Sequence, residues 1–271
     1  MWVRGMFSQA KQGSHKLVPG YKLNQHGATI GFDAGEEDTR LGIAYSFVDS
    51  KVKGKKTGIK DKVKSHIVTI YGLHGFENNM FVDGQIRYGR SNIKKNRDNG
   101  NTSGDISKAK TKGDIFGGKI EVGYDYALEN KIHLIPTLGI SHDQLKMKGY
   151  KESGEGLNRS VAKRTAERTS ALLGLRVSNP IDNGSITIIP EIHGNFIYAM
   201  QVKNPKTTIT LFEGMDPITT PSGKSPKASY KIGGSVKFTK CKKIDLGVGY
   251  DLGLAKKFQS HSGYANIRYN F

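Results

Sequence analysis

The chain holds one cysteine among 271 residues, so no internal disulfide framework supports it. That residue, Cys241, stands beside the turn-like Lys242-Lys243 and reads as an inert thiol. No run of 18 or more apolar residues occurs, which excludes a transmembrane helix. The opening Met1-Trp2-Val3-Arg4-Gly5-Met6-Phe7 has neither the apolar h-region nor the small-residue cleavage site of a signal peptide. If the chain is exported, its signal is expected upstream, and these residues are then a fragment of something longer. Apolar residues make up only 36% and the mean hydropathy is −0.50, thin material for a tightly packed soluble core. Helical spacing of apolar residues is missing as well. In excess are glycine, with 34 residues, and positive charge, with 42 Lys and Arg against 24 Asp and Glu.

What replaces the helical period is alternation, the two-residue repeat of a strand. From Ile115 to Tyr126, Phe116, Gly118, Ile120, Val122, Tyr124 and Tyr126 share one face, while Gly117, Lys119, Glu121, Gly123 and Asp125 share the other. The same split separates Ile244, Leu246, Val248, Tyr250, Leu252 and Leu254 from Asp245, Gly247, Gly249, Asp251 and Gly253. Leu41, Ile43, Tyr45 and Phe47 oppose Gly42, Ala44 and Ser46, and Ile188, Ile192, Phe196 and Tyr198 oppose Thr187, Glu191, His193 and Asn195. A soluble sandwich would alternate too, burying one face and wetting the other. Glycine on the charged face favours a curved barrel wall, whose lumenal side tolerates it.

The connections discriminate better than the strands. Short polar turns fall near 35–38, 77–79, 128–130, 182–184 and 242–243. Between them lie long polar stretches at about 9–24, 49–65, 90–112, 146–168 and 202–229, with a shorter one near 256–262. The two kinds alternate strictly, which predicts an all-β chain: one antiparallel up-and-down barrel of twelve strands over residues 1–271. Short turns on one rim and long loops on the other are the plan of a bacterial outer-membrane barrel. Segments 51–64, 87–112, 146–168 and 203–231 carry 7, 8, 7 and 5 Lys and Arg against 1, 2, 3 and 2 Asp and Glu, a net +19 beside +18 for the whole chain. The excess charge therefore belongs to one rim. Solvated lysines are the plain reading of it, and attraction of the surrounding anionic lipopolysaccharide is the sharper one. A nucleic-acid binder would interleave its basic residues with stacking aromatics on a sheet or helix face, and no nucleic-acid partner is expected.

Enzyme motifs fail on inspection. Gly223-Lys224-Ser225 lacks the earlier glycine of a phosphate loop, and Gly247-x-Gly249 lacks the third glycine of a dinucleotide fingerprint. The eight histidines form no zinc spacing, and no Gly-x-Ser-x-Gly elbow occurs. No catalytic residue, metal or cofactor is expected. On the predicted inner face stand Asp33, Asp83, Gln85, Arg87, Lys119, Glu121, Asp125, Glu191, His193, Asp251 and Arg268. Mixed charges inside a barrel pair across strands to fill it; alternatively, some of these line a pore or touch a segment threaded through it. Trp2 and the tyrosines near strand ends (Tyr21, Tyr45, Tyr71, Tyr88, Tyr198, Tyr230, Tyr264 and Tyr269) read as aromatic girdles.

The final strand places Ala265, Ile267, Tyr269 and Phe271 on one face. Its terminal aromatic pattern resembles the signal that the outer-membrane assembly machinery reads on its substrates. The whole chain is similar to the β-domain of an autotransporter of type V secretion. The resemblance rests on Trp2-Val3-Arg4-Gly5, Gly27-Ala28-Thr29-Ile30-Gly31-Phe32-Asp33, Leu41-Gly42-Ile43-Ala44-Tyr45-Ser46, Gly247-Val248-Gly249-Tyr250-Asp251 and Tyr269-Asn270-Phe271, in order and across nearly all 271 residues. The lysine-rich loops further suggest the rickettsial surface-antigen branch. The resemblance implies an integral outer-membrane anchor that helps export its own N-terminal passenger, with the linker lying in the lumen and no ATP or proton-coupling site. Its implied partners are outer-membrane lipids with lipopolysaccharide, the barrel assembly machinery and the covalently linked passenger. Passenger, linker helix and asparagine cleavage junction are not in these residues. A stand-alone porin or small closed barrel is the first alternative, and a soluble basic β-protein binding polyanions the second. Deleting Phe271 should lower the membrane-assembled fraction, read as the heat-modifiable band on a gel run without boiling; unchanged assembly would remove the signal reading.

Overall fold

The computed structural model describes residues 1–14, 19–36, 38–55, 57–99, 105–154, 157–211, 215–220, 225–241 and 243–270. Twelve antiparallel strands follow one another: β1 Trp2–Gln12, β2 Tyr21–Glu36, β3 Thr39–Gly54, β4 Ile59–Gly75, β5 Met80–Asp98 and β6 Ile106–Tyr124. After these come β7 His133–Met147, β8 Arg164–Ser178, β9 Ile186–Lys203, β10 Ala228–Lys240, β11 Ile244–Ala255 and β12 Phe258–Tyr269. Each pairs with its sequence neighbours, and β12 returns to pair with β1 from Trp2↔Arg268 to Gln12↔Phe258. The sheet closes on itself into the twelve-stranded barrel that the rhythm of connections predicts.

The boundaries move relative to the sequence reading. The stretches 49–65 and 90–112 are mostly strand: β3 runs to Gly54 before β4 starts at Ile59, and β5 runs to Asp98 before β6 starts at Ile106. Near 256–262 only two residues separate β11 from β12. Lysine, asparagine and serine score as loop by polarity. Here they alternate with small inward residues and stay in ladder register, as in Ser91↔Ser65 and Ser91↔Gly113. The truly long connections are those from β7 to β8 and from β9 to β10. They build a separate four-stranded sheet of Tyr150–Lys151, Ser160–Val161, Thr207–Thr210 and Ile218–Thr220. On the opposite rim the turns are tight, and Asn79, Lys131 and Cys241 there adopt left-handed backbone angles at φ 62°, 59° and 50°.

Orientation follows from exposure. Leu41, Ile70, Leu138 and Ile192 are 65%, 61%, 65% and 66% exposed, so the apolar face looks outward. Among the described residues the buried apolar set is Ala10, Ala44, Ile93, Ala109, Val161 and Ala199, no core for a water-soluble domain. The accessible surface is 17089 Å², against roughly 11,600 Å² expected of a compact soluble chain of this mass. An outward apolar belt of this extent requires a hydrocarbon surround, which removes the soluble alternative.

The inner glycines are seats for side chains from the next strand. A Cβ on Gly42 would fall inside the ring of Tyr71, and one on Gly233 would strike the Asp251 carboxylate and the His193 imidazole. Gly194, by contrast, has nothing within 4 Å of its would-be Cβ. Gly42→Ala should therefore destabilise the folded barrel by about 1–3 kcal/mol through overpacking, while Gly194→Ala should stay within about 0.5 kcal/mol. Urea midpoints of refolded protein in detergent micelles check the contrast, and equal midpoints would overturn it.

Candidate functional site

The inner surface is built from residues that alternate with the outward apolar ones, so strand register fixes which charges meet. Three clusters result. At the seam, Arg268 of β12 reaches across β1 to Asp33 of β2, donating from Nη1 to Oδ1 at 2.7 Å and from Nη2 to Oδ2 at 3.0 Å. Tyr71 of β4 donates its hydroxyl to Asp33 Oδ2 at 2.6 Å and accepts from Trp2 Nε1 at 2.7 Å. Arg40 Nε lies 3.9 Å from the same carboxylate, whose side chain is 5% exposed. One carboxylate thus ties together β1, β2, β3, β4 and β12. A bidentate, charge-assisted pair of this kind holds geometry as well as energy.

Farther round the wall, Lys119 lies 3.1 Å from Asp83 and pairs with Glu121. His193 takes Asp251 on Nε2 at 2.7 Å and Glu191 on Nδ1 at 3.2 Å, while Lys231 approaches the other Asp251 oxygen at 3.1 Å. Side chains from both groups line one cavity of about 280 Å³ with Leu73, Thr137 and Asn195, and Arg176 projects into it over the Phe81 ring at 5.8 Å. No ion pair to Arg176 is present among the described residues.

The sequence-derived residues therefore fall into place unevenly. Asp33 joins Arg268; Asp83, Lys119 and Glu121 meet; Glu191, His193 and Asp251 meet. Arg87 pairs instead with Asp143, and Asp125 with His133 at 2.8 Å near the short-turn rim. Gln85 sits half-buried in register between Tyr71 and Lys119. Ala265, Ile267 and Tyr269 share the outward face of β12, with Ile267 and Tyr269 exposed. Phe271 lies outside the described residues. The girdle assignment needs correction. Tyr45, Tyr88, Tyr198, Tyr230 and Tyr269 face outward, but Trp2 and Tyr71 belong to the seam cluster and Tyr264 stacks under Arg4 on the inner face. Counting parity from Ile70 places Tyr71 inside, so the signal was available; position near a strand end is the weaker guide.

The mouth at the long-connection rim carries a network without a sequence signal. Arg97 of β5 donates to both Glu152 oxygens and to the Leu157 carbonyl, at 3.2, 2.6 and 2.7 Å. Lys95 pairs with Asp61 and sits 5.7 Å from the Tyr150 ring centre. Burial raises the Tyr150 phenol above its ordinary value. These contacts dock the β7–β8 connection and its small sheet onto the inner faces of β5 and β6.

Known proteins share this fold. The autotransporter beta-domain family matches residues 1–251. Outer membrane protein A of Rickettsia conorii is 31% identical over 281 residues, an alignment covering 100% of this chain and 14% of that protein. Outer membrane protein B of Rickettsia japonica is 27% identical over 282 residues, covering 100% and 17%. The chain thus spans less than a fifth of the curated relatives it matches. Among solved structures, the translocator domain of autotransporter NalP from Neisseria meningitidis aligns with a TM-score of 0.81 at 16% identity, covering 100% of this chain and 87% of that one. The β domain of the Bordetella autotransporter Brka aligns at 0.72 and 19%, covering 100% and 98%.

The seam cluster makes a direct prediction. Asp33→Asn leaves the Arg268 guanidinium without its carboxylate and should cost about 3 kcal/mol, whereas Asp33→Asn with Arg268→Gln should cost less than the two single changes together. Chemical denaturation of the four proteins gives the coupling; simple additivity would show that the pair does not act as a clamp.

Proposed function

The chain belongs to the autotransporter β-domain family, and from that we propose that it anchors a longer protein in the bacterial outer membrane and assists export of a linked N-terminal passenger. The observation that carries this reading is the closed barrel itself, apolar outside and charged within. Met1 lies on the short-turn rim, exchanging hydrogen bonds with Tyr269 at 3.0 and 2.9 Å. A polypeptide joined there enters the lumen from that side and leaves past the small sheet at the opposite mouth.

In this reading the domain is a passage and an anchor, and no catalytic residue takes part. Asp83, Lys119, Glu121, Glu191, His193 and Asp251 offer a linker both signs of charge, while Asp33, Arg268, Trp2 and Tyr71 hold the wall closed. The outward Ala265, Ile267 and Tyr269, with Phe271, are the strand end that the barrel assembly machinery reads, and lipopolysaccharide surrounds the long-connection rim. The stand-alone porin alternative is not favoured, since the family and the translocator likeness both point to export.

A reporter domain fused ahead of Met1, behind an export signal, should reach the surface of intact cells and be removed there by added protease. A reporter that stays protected while the barrel is heat-modifiable would sink the export role. Glu121→Lys should alter single-channel conductance without reducing assembly, and identical traces from both proteins would remove Glu121 from the passage.

A further inference from the structure

Beyond the apolar belt, β1 to β6 continue as paired strand, and many of their outward positions are lysine, among asparagine, aspartate and one outward Ile106. Cross-strand register sets Lys51 opposite Lys62, Lys62 opposite Lys94, and Lys94 opposite Lys110, an unbroken row over four strands. A second row runs Lys11, Lys22, Lys53 and Lys60 from β1 to β4. All these lysines are exposed. At a strand spacing of about 4.8 Å each row is roughly 15 Å long. Like charges directly opposite one another are disfavoured in a sheet, so an external anion bound along the rows would relieve a repulsion that the arrangement repeats.

The same strands treat their inner cations differently. Lys95 has Asp61 and Arg97 has Glu152, one carboxylate each. Among the described residues no carboxylate forms an ion pair with either lysine row, and Asp114 on the same outward face is bonded to Arg90 at 2.9 Å. Beneath the rows several inner positions are small and buried, among them Ser65 and Ser91, hydrogen-bonded at 2.7 Å. The lysines are thus held in fixed register.

We propose that these two rows are a docking lattice for the phosphorylated head groups of lipopolysaccharide in the surrounding outer leaflet. The inference rests on the outer-membrane placement above and assigns that lipid a site. Direction selects the occupant. The rows share the outward parity of Val68, Ile70, Ile86 and Tyr88, so they point sideways at neighbouring lipids rather than up into solvent. Height agrees. Lys94 lies six residues beyond Tyr88, which at ~3.3 Å per residue and a tilt of about 40° places it roughly 15 Å above that aromatic, in the head-group layer. Clustered lysines beside a bilayer are the usual recognition device for anionic lipid.

The test uses the full chain in phosphatidylcholine nanodiscs with and without lipopolysaccharide. It compares wild type with K51Q/K62Q/K94Q/K110Q and with the equally charge-depleted K163Q/K206Q/K227Q/K256Q. Native mass spectrometry counts bound lipopolysaccharide, and thermal unfolding reports its effect. Wild type and the off-lattice variant should retain lipopolysaccharide and unfold at higher temperature in its presence. The row variant should bind about tenfold more weakly or worse, and enzymatically dephosphorylated lipopolysaccharide should bind none of them tightly. Equal retention by the row variant overturns the proposal. A heparin column run on the same proteins adds a second overturning result: a row variant that loses heparin but keeps lipopolysaccharide assigns the rows to a soluble polyanion. A wild-type chain with no heat-modifiable migration would bring down the membrane reading itself, whereas a heat-modifiable wild type indifferent to lipopolysaccharide brings down only the lattice.

Discussion

A sheet immersed in hydrocarbon has no water to satisfy an unpaired edge, and each orphaned peptide group there costs several kcal/mol. The pairing of β12 with β1 is therefore the bond set on which the rest of this molecule depends. It joins residues 2–12 to residues 258–268, the most non-local pairing in the sheet, and it forms only when the ten strands between are in register. The Asp33 carboxylate makes the backbone seam resistant to slipping, because a shift of one residue would turn Arg268 from the inner to the outer face.

Once the ring is closed, alternation determines everything else. Outward positions meet lipid over the belt and head groups or water beyond it; inward positions meet one another. Glycine enters where two large inner side chains would otherwise collide, as Gly42 does beneath Tyr71 and Gly233 beside His193 and Asp251. Above the belt the balance differs. Six directly opposed lysine pairs at about 6 Å repel by roughly 0.7 kcal/mol each in water, about 4 kcal/mol together before salt screening. That is a sizeable fraction of the 5–15 kcal/mol that ordinarily separates folded from unfolded states.

The number of strands, their order and the sense of their faces were legible in the sequence, because alternation and turn chemistry are local. Strand ends on the long-connection side were not. Stretches such as 90–98 and 106–112 are polar throughout, and only the ladder partner shows that they stay extended. Within the lumen, Asp83, Lys119 and Glu121 sit close in sequence or on adjacent strands and were readable as a group. Arg87 with Asp143 and Arg97 with Glu152 join residues 56 and 55 apart, through register and a docked connection that no local pattern encodes. The tryptophan and two tyrosines, Tyr71 and Tyr264, were misassigned for a related reason: an aromatic near a strand end suits an interface or an interior, and parity alone separates them.

The chain contains a single tryptophan, and it stands at the joint between the first strand and the last. Its indole donates to Tyr71 and lies against the inner wall, where Gly31 leaves room for the ring. Intrinsic fluorescence of this protein is thus a spatially resolved signal without any label. While β1 is unpaired the indole is wet and its emission red; when β1 joins β2 and β4 stands in place, the ring is confined between Gly31 and Tyr71. The spectral change reports the packing of the first strand onto β2 and against Tyr71 of β4, apart from the gathering of the later hairpins, which contain no tryptophan. The molecule therefore makes the docking of its own first strand visible by itself.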